Sequence, residues 1–160
     1  MRWIALFLLM LMLPFDSPAQ EQETGELVVA YGLFDLRKHT IPDIRMEYRF
    51  GRKMGAVRPI AGAMLTTQRS NYVYLGVNYD LALTQILTIS LNVAAGAYHR
   101  GAGKELGGLL EFRSGIDVWI QWNPRIWMGW SFHHLSNASI YSYNPGVETL
   151  MYSLSIRDLF

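Results

Sequence analysis

Three residues of the types that serine hydrolases use lie close together near the C-terminus: His134, Ser136 and Glu148. A serine hydroxyl is a poor nucleophile until a neighbouring base accepts its proton. Histidine titrates near neutral pH and can be that base. A carboxylate on the other ring nitrogen fixes the tautomer and stabilises the imidazolium. Asn137, directly after the serine, could offer its side-chain amide or its backbone N–H to an oxyanion. If the fold brings these residues together, their types predict ester hydrolysis.

The segments that carry these residues read as β-strands. From residue 26 onward, stretches of about ten residues alternate apolar side chains with small or polar ones, and turn residues separate the stretches. No helical apolar stripe of useful length is present. The alternation predicts eight strands, at 26–36, 43–52, 57–67, 71–81, 85–98, 108–121, 125–136 and 148–157.

The two faces of the predicted strands differ in character. In the segment 125–136, one face carries Ile126, Met128, Trp130 and Phe132. The opposite faces of the strands are rich in Gly, Ser, Thr and Asn. A narrow eight-stranded barrel can fill its interior with such residues and present bulky apolar ones to lipid. The pattern therefore predicts an all-β fold, an eight-stranded antiparallel transmembrane β-barrel.

Two other kinds of barrel are alternatives to this one. A soluble lipocalin-like barrel also has about eight strands, around a cavity for a small ligand. An inside-out arrangement would pack the large residues within. Both would expose to water a surface poorer in charge than soluble proteins carry, because only 17% of the residues are charged. Trp, Phe and Met together on one face favour the lipid-facing barrel.

The N-terminus has the features of an export signal. A short basic start precedes an apolar run over residues 3–15, and small residues at Ser17 and Ala19 fit a signal-peptidase site. The run is shorter than the roughly 20 apolar residues that a spanning helix needs; a retained anchor is the alternative. We expect a signal peptide at 1–19, cleaved near Ala19, and a barrel domain at 20–160 in the bacterial outer membrane. A net charge of +1 does not suggest a nucleic-acid partner, and the absence of Cys excludes disulfides and thiolate metal sites.

An even number of strands places both ends of the chain on the periplasmic side and fixes which loops face outward. The outer loops are then 37–42, 68–70, 99–107 and 137–147. They contain five basic residues that could meet phosphate groups, or could simply be solvated: Arg37, Lys38, Arg69, Arg100 and Lys104.

Strand parity decides which side chains can meet, since residues at i and i+2 point to the same side. His134 and Ser136 share the parity of the apolar stripe that contains Phe132, and Glu148 shares that of the apolar residues on the last strand. We expect Ser136 opposite Glu148, so that Glu148 is diagonal to His134 at about 7–8 Å. Each residue alone has an ordinary explanation at a membrane interface. Their matched parity at one end of one hairpin favours a site on the outer wall. His133 has the opposite parity and is expected to be buried inside.

The final hairpin resembles that of the PagL-type lipid A 3-O-deacylases, which are eight-stranded outer-membrane barrels. The residues that carry the resemblance are His134-Leu135-Ser136-Asn137-Ala138, then Asn144-Pro145-Gly146, then Glu148. The resemblance covers about the last thirty residues, and upstream it is one of architecture. It implies His134 as general base, Ser136 as nucleophile, Glu148 as the orienting acid and Asn137 near the oxyanion hole.

The reaction that the resemblance implies is hydrolysis of a carboxylic ester, removing the 3-hydroxyacyl chain from position 3 of lipid A in lipopolysaccharide. No metal or cofactor would be needed. The acyl chains of that substrate lie alongside the barrel in the membrane, which would explain a site on the outer wall. Two alternatives stay open: a non-catalytic outer-membrane barrel with an adhesive or structural role, and a soluble exported binding barrel. The sequence does not fix the oligomeric state, and a homodimer is compatible with it.

Overall fold

The computed structural model describes residues 24–51 and 54–159, which form one closed antiparallel β-barrel. The strands are β1 (Gly25–Phe34), β2 (Ile41–Arg49), β3 (Arg58–Thr66), β4 (Asn71–Ala82), β5 (Leu87–His99), β6 (Leu110–Asn123), β7 (Ile126–Ser136) and β8 (Val147–Leu159). Each strand pairs with the next, and β8 pairs with β1 to close the sheet. The predicted eight-stranded barrel is confirmed. The expected signal peptide at 1–19 lies outside the described residues.

The outer wall of the barrel is apolar. Side chains alternate between the two faces of each strand, and the outward ones include Leu75, which is 69% exposed, and Trp130, which is 57% exposed. An inside-out barrel is therefore excluded. Such a continuous apolar surface is typical of a protein whose strands contact lipid. Among the described residues there is no helix long and apolar enough to cross a bilayer.

The barrel interior is more charged than the sequence pattern predicted. Small polar residues such as Ser90 and Ser153 do point inward. Between them lies a network of buried ion pairs. Arg49 contacts Glu47 at 2.9 Å and Asp117 at 2.7 Å, and Arg113 contacts Glu47 at 2.7 Å. Buried charges are tolerated when each has a partner of opposite sign. The network fills the lumen and joins strands on opposite sides of the barrel.

The last residues of β8 depart from strict alternation at Asp158. The pairing of β8 with β1 shifts register between Gly25 and Leu27. Asp158 adopts a left-handed conformation with φ 64°, and its carboxylate accepts a hydrogen bond from the Thr24 hydroxyl. A bulge of this kind changes the direction in which the following side chains point. It explains why a charged residue occupies a position where alternation called for an apolar one.

The two ends of the barrel differ in their connections. At one end, which we call the loop end, lie the segments 35–40, 67–70, 100–109 and 137–146. At the other end lie the segments 50–57, 83–86 and the two-residue turn 124–125. The loop-end segments match the predicted outer loops to within a few residues, and long outer loops with short periplasmic turns are typical of these barrels. The candidate site lies at the loop end.

Candidate active site

The candidate residues lie on the hairpin formed by β7, the loop 137–146 and β8. His134 lies directly opposite Glu148, and the ladder ends one residue later with Leu135 opposite Val147. The predicted register, with Ser136 opposite Glu148, was wrong by two residues. The cause is that β8 begins at Val147, so the loop absorbs residues 137–146 and leaves Ser136 beyond the last pair. The parity of the strands is unchanged by a two-residue shift.

The imidazole of His134 and the carboxylate of Glu148 are in contact. Glu148 Oε1 lies 3.3 Å from Nδ1 of His134. The Glu148 side chain is only 11% exposed, whereas that of His134 is 43% exposed. A carboxylate at Nδ1 favours the tautomer that carries its hydrogen there, which leaves Nε2 as the acceptor. The pair therefore has the arrangement required of a general base.

Ser136 follows His134 by two residues and lies on the same face of β7. It is half-buried, and across the ladder on its other side it is paired with Phe112 of β6. The hydroxyl of Ser136 makes no hydrogen bond to any residue that the structure describes. The structure thus joins the acid to the base and places Ser136 two residues along the same face of β7, without a serine-to-histidine hydrogen bond. Such bonds are often formed only when substrate is bound.

Gly146 lies against the imidazole of His134. Its φ is +60°, and a Cβ built there would fall 2.8 Å from Cε1 and 3.3 Å from Nε2 of His134. Any side chain at this position would push on the Cε1–Nε2 edge of the ring, which carries the acceptor nitrogen. The sequence showed this glycine only as part of a turn signal, because its contact with His134 depends on the register of the hairpin.

Asn137 is buried and fixes the loop rather than facing solvent. Its Nδ2 donates to the carbonyl oxygens of Leu106, at 2.8 Å, and Tyr143, at 2.9 Å. Its backbone N–H donates to Oδ1 of Asn144 at 3.1 Å. Both groups that the sequence offered to an oxyanion are therefore committed in this conformation. The two residues that follow, Ala138 and Ser139, have φ of 51° and 63°.

The lumen supports the hairpin from behind. His133 points inward as predicted, with its Nδ1 accepting from Nη1 of Arg45 at 2.6 Å and its Nε2 lying 3.2 Å from Oδ1 of Asp117. Nη2 of Arg45 donates to the hydroxyl of Thr149 at 3.3 Å. His133 and Thr149 are paired across the ladder next to His134 and Glu148. One arginine thus clamps β7 to β8 at the level of the site, a role that no motif in the sequence indicated.

Glu148 has a second partner besides His134. Nη2 of Arg37, in the loop 35–40, lies 3.0 Å from the same Oε1 of Glu148. Two more of the basic loop residues have carboxylate partners: Lys104 binds Asp35 at 2.6 Å, and Arg100 lies 3.5 Å from Glu105. These three cations are therefore engaged with the protein itself. The sequence could place them in outer loops but could not assign their partners.

Exposed apolar side chains run down the outer wall from the site. On β7 these are Phe132 and Trp130, on β8 Leu150 and Tyr152, and on β1 Leu33. Trp130 and Tyr152 pack edge to face with their ring centroids 5.5 Å apart. Together they form a continuous apolar strip, beginning directly below His134 and Glu148, against which a hydrocarbon chain could lie.

The architecture is shared with solved outer-membrane barrels. The chain is similar to a crystal structure of the outer membrane enzyme PagL, with a TM-score of 0.62 and 16% identity over 82% of this chain and 98% of that one. It is also similar to a de novo designed transmembrane β-barrel, at TM-score 0.66 and 8% identity over 88% and 100%. The outer membrane protein Ail of Yersinia pestis in a nanodisc matches at TM-score 0.53 and 12% identity over 84% and 99%. At these identities the likeness concerns the fold.

Sequence comparison identifies the family. A search of curated protein sequences gave no match. A family model described as lipid A 3-O-deacylase (PagL) matches residues 45–157, which is well over half of the chain and includes every strand from β3 to β7. Family and fold together support a deacylase of lipid A in the outer membrane. The chain belongs to the lipid A 3-O-deacylase (PagL) family.

Proposed function

We propose that this protein is a serine esterase that removes the ester-linked 3-hydroxyacyl chain at position 3 of lipid A, with Ser136 as nucleophile, His134 as general base and Glu148 as the orienting acid. The observation that carries the proposal is the contact of Glu148 with Nδ1 of His134 on the lipid-facing wall, beside a serine of the same face. A carboxylate and a histidine that served only to contact water would not need to pair with each other. Polar groups at the edge of an apolar wall are energetically costly, so the ones found there are candidates for a functional role.

The reaction follows from the tautomer of His134 that the contact with Glu148 favours. Nε2 of His134 accepts the proton of the Ser136 hydroxyl while the serine oxygen attacks the ester carbonyl carbon. The tetrahedral intermediate collapses by breaking the bond between the carbonyl carbon and the sugar oxygen, and His134 returns the proton to that oxygen. Water then attacks the acyl-serine with His134 again as base. The products are a 3-hydroxy fatty acid and lipid A with a free hydroxyl.

For the oxyanion we propose the backbone rather than the Asn137 side chain. The N–H of Ala138 has no hydrogen-bond partner among the described residues, and it lies two residues beyond Ser136. Ala138 and Ser139 are both held in the left-handed region, which is uncommon for residues other than glycine and is often found at functional sites. In this view Asn137 is a positioning residue, because its hydrogen bonds to Leu106, Tyr143 and Asn144 hold the loop that presents this N–H.

The position of the site explains how the substrate is reached. The ester of a membrane lipid lies where its sugar meets its acyl chains, at the boundary of the hydrocarbon. Ser136 lies at the loop end of the outer wall, with the apolar strip of Phe132 and Trp130 below it. The acyl chain can pack on the strip while the sugar stays among the loops, so the lipid need not leave the membrane.

The proposal is tested with the purified, refolded protein in detergent micelles and with lipid A as substrate. Mass spectrometry should show the loss of one 3-hydroxyacyl group, and analysis of the product should place the new hydroxyl at position 3. Ser136→Ala and His134→Asn should abolish the release, while Ser142→Ala, a matched change at an exposed loop serine, should not. Deacylation by the Ser136→Ala protein, or no deacylation by the wild type, would contradict the proposal. The second outcome would favour a non-catalytic barrel.

A further inference from the structure

Glu148 carries two cationic or potentially cationic partners on one oxygen. Nη2 of Arg37 lies 3.0 Å from Oε1, and Nδ1 of His134 lies 3.3 Å from the same atom. An arginine on the carboxylate offsets part of the negative charge that would stabilise the imidazolium of His134. In the resting arrangement Arg37 and His134 therefore share one carboxylate oxygen of Glu148.

The Arg37 side chain is poorly suited to be a fixed clamp. It is 76% exposed, and ion pairs formed by exposed side chains contribute little because water screens them. The backbone beside it is held in place, since the N–H of Leu36 donates to the Glu148 carbonyl at 3.3 Å. Asp35 also ties the loop internally by accepting from the N–H of His39 and from Lys104. Arg37 is thus an exposed cation on an anchored loop, next to the site.

We propose, on the basis of the function proposed above, that Arg37 binds the phosphate on the reducing-end sugar of lipid A and that this contact moves it away from Glu148. Lipid A is a phosphorylated disaccharide, and the guanidinium group forms bidentate hydrogen bonds with phosphate. A substrate phosphate carries more charge than the carboxylate and offers more acceptor oxygens. Once Arg37 has turned to it, the whole charge of Glu148 acts on His134. Substrate binding and activation of the base are coupled through one side chain.

Arg37 could have either of two roles, and a loss of activity on lipid A alone would not distinguish them. An arginine that only positions Glu148 matters equally for every ester that the enzyme cleaves. An arginine that exchanges Glu148 for phosphate matters only for substrates that carry the phosphate. On a substrate that lacks it, removal of Arg37 relieves the competition at Oε1 and should leave activity unchanged or raise it.

The experiment compares intact lipid A with monophosphoryl lipid A, from which the phosphate on the reducing-end sugar has been removed. Wild type, Arg37→Gln, Arg37→Lys and Arg69→Gln are assayed for kcat and KM in the same micelles. Arg69 is the matched control, because it is an exposed arginine in the loop 67–70 on the opposite side of the barrel. Folding of each variant is checked by the shift in gel mobility on heating.

For intact lipid A we expect Arg37→Gln to lower kcat/KM about tenfold, mainly through KM, which corresponds to the loss of one charge-assisted hydrogen bond. For monophosphoryl lipid A the same variant should equal or exceed the wild type. Arg37→Lys should recover part of the loss, and Arg69→Gln should behave as wild type on both substrates. An equal loss on the two substrates, or no loss on either, would overturn the inference while leaving the proposed function intact. Absence of wild-type activity on both would refute the proposed function itself.

Discussion

The contribution of Glu148 to catalysis is the most informative one to test by substitution. Glu148→Gln keeps the size of the side chain and its ability to accept the hydrogen of Nδ1 from His134, but removes the charge. The fold of the hairpin should survive, because the neighbouring pair His133 and Thr149 is held from the lumen by Arg45. What is lost is the stabilisation of the imidazolium that forms as Ser136 attacks.

The size of that loss follows from the geometry. For unit charges separated by 3.3 Å, Coulomb's law gives about 5 kcal/mol at an effective dielectric constant of about 20, and about 1 kcal/mol in bulk water. The acid is 11% exposed and the base 43% exposed, so the true environment lies between these limits. A value of about 3 kcal/mol corresponds to a hundredfold lower kcat. That is a smaller effect than removal of the nucleophile, as expected for the orienting member of a triad.

The assay is release of the 3-hydroxy fatty acid from lipid A in micelles, measured for the wild type, Glu148→Gln and Ser136→Ala. Glu105→Gln is the matched control, since Glu105 also pairs with an arginine but lies in the loop 100–109. Its kcat should stay within about twofold of the wild type, consistent with an exposed pair of little energetic weight. If Glu148→Gln kept wild-type kcat in a correctly folded barrel, the role assigned to the carboxylate would be refuted.

Three further predictions concern the His134 ring, the apolar strip on the outer wall and the ion pairs in the barrel lumen. Gly146→Ala should lower kcat by ten- to a hundredfold, because its Cβ displaces the ring of His134; structures of the variant should show the ring moved. Phe132→Ala should raise KM for long-chain lipid A while leaving hydrolysis of a short-chain ester unchanged, as measured by paired assays on the two substrates. Arg113→Met should destabilise the barrel by about 3 kcal/mol in urea titrations in vesicles, since it leaves Glu47 without one of its two buried arginine partners.

Much of the fold could be predicted from the sequence because lipid imposes a simple rule on the outer wall. Every outward residue of β7, such as Met128 and Trp130, is apolar or lies at the end of the strand. The alternation of apolar and polar residues with a period of two could therefore be recognised in the sequence. The interior follows no such rule. The charges of β2 at Arg45, Glu47 and Arg49 alternate with Ile44, Met46 and Tyr48, but several of their partners come from β6 and β7 across the barrel. Pairings across a barrel depend on closure and are not encoded in local spacing.

The candidate site was partly predictable for the same reason. Parity placed His134, Ser136 and Glu148 on one face, and the structure agrees. The register was missed because it depends on where the loop 137–146 ends, and the loop is held by Asn137 through contacts with Leu106 and Tyr143 that sequence does not reveal. The contact of Arg37 with Glu148 joins the first loop to the last strand, which become neighbours only when the barrel closes.

The central claim is that an activated serine on the membrane-facing wall cleaves an acyl ester of the surrounding lipid. Its most direct test is mass spectrometry of lipid A extracted from Gram-negative cells that express the wild type or Ser136→Ala at equal levels in the outer membrane. The account predicts that lipid A from wild-type cells lacks one 3-hydroxyacyl group and that lipid A from the variant cells is intact. Identical lipid A from the two strains, with both proteins folded in the membrane, would contradict it.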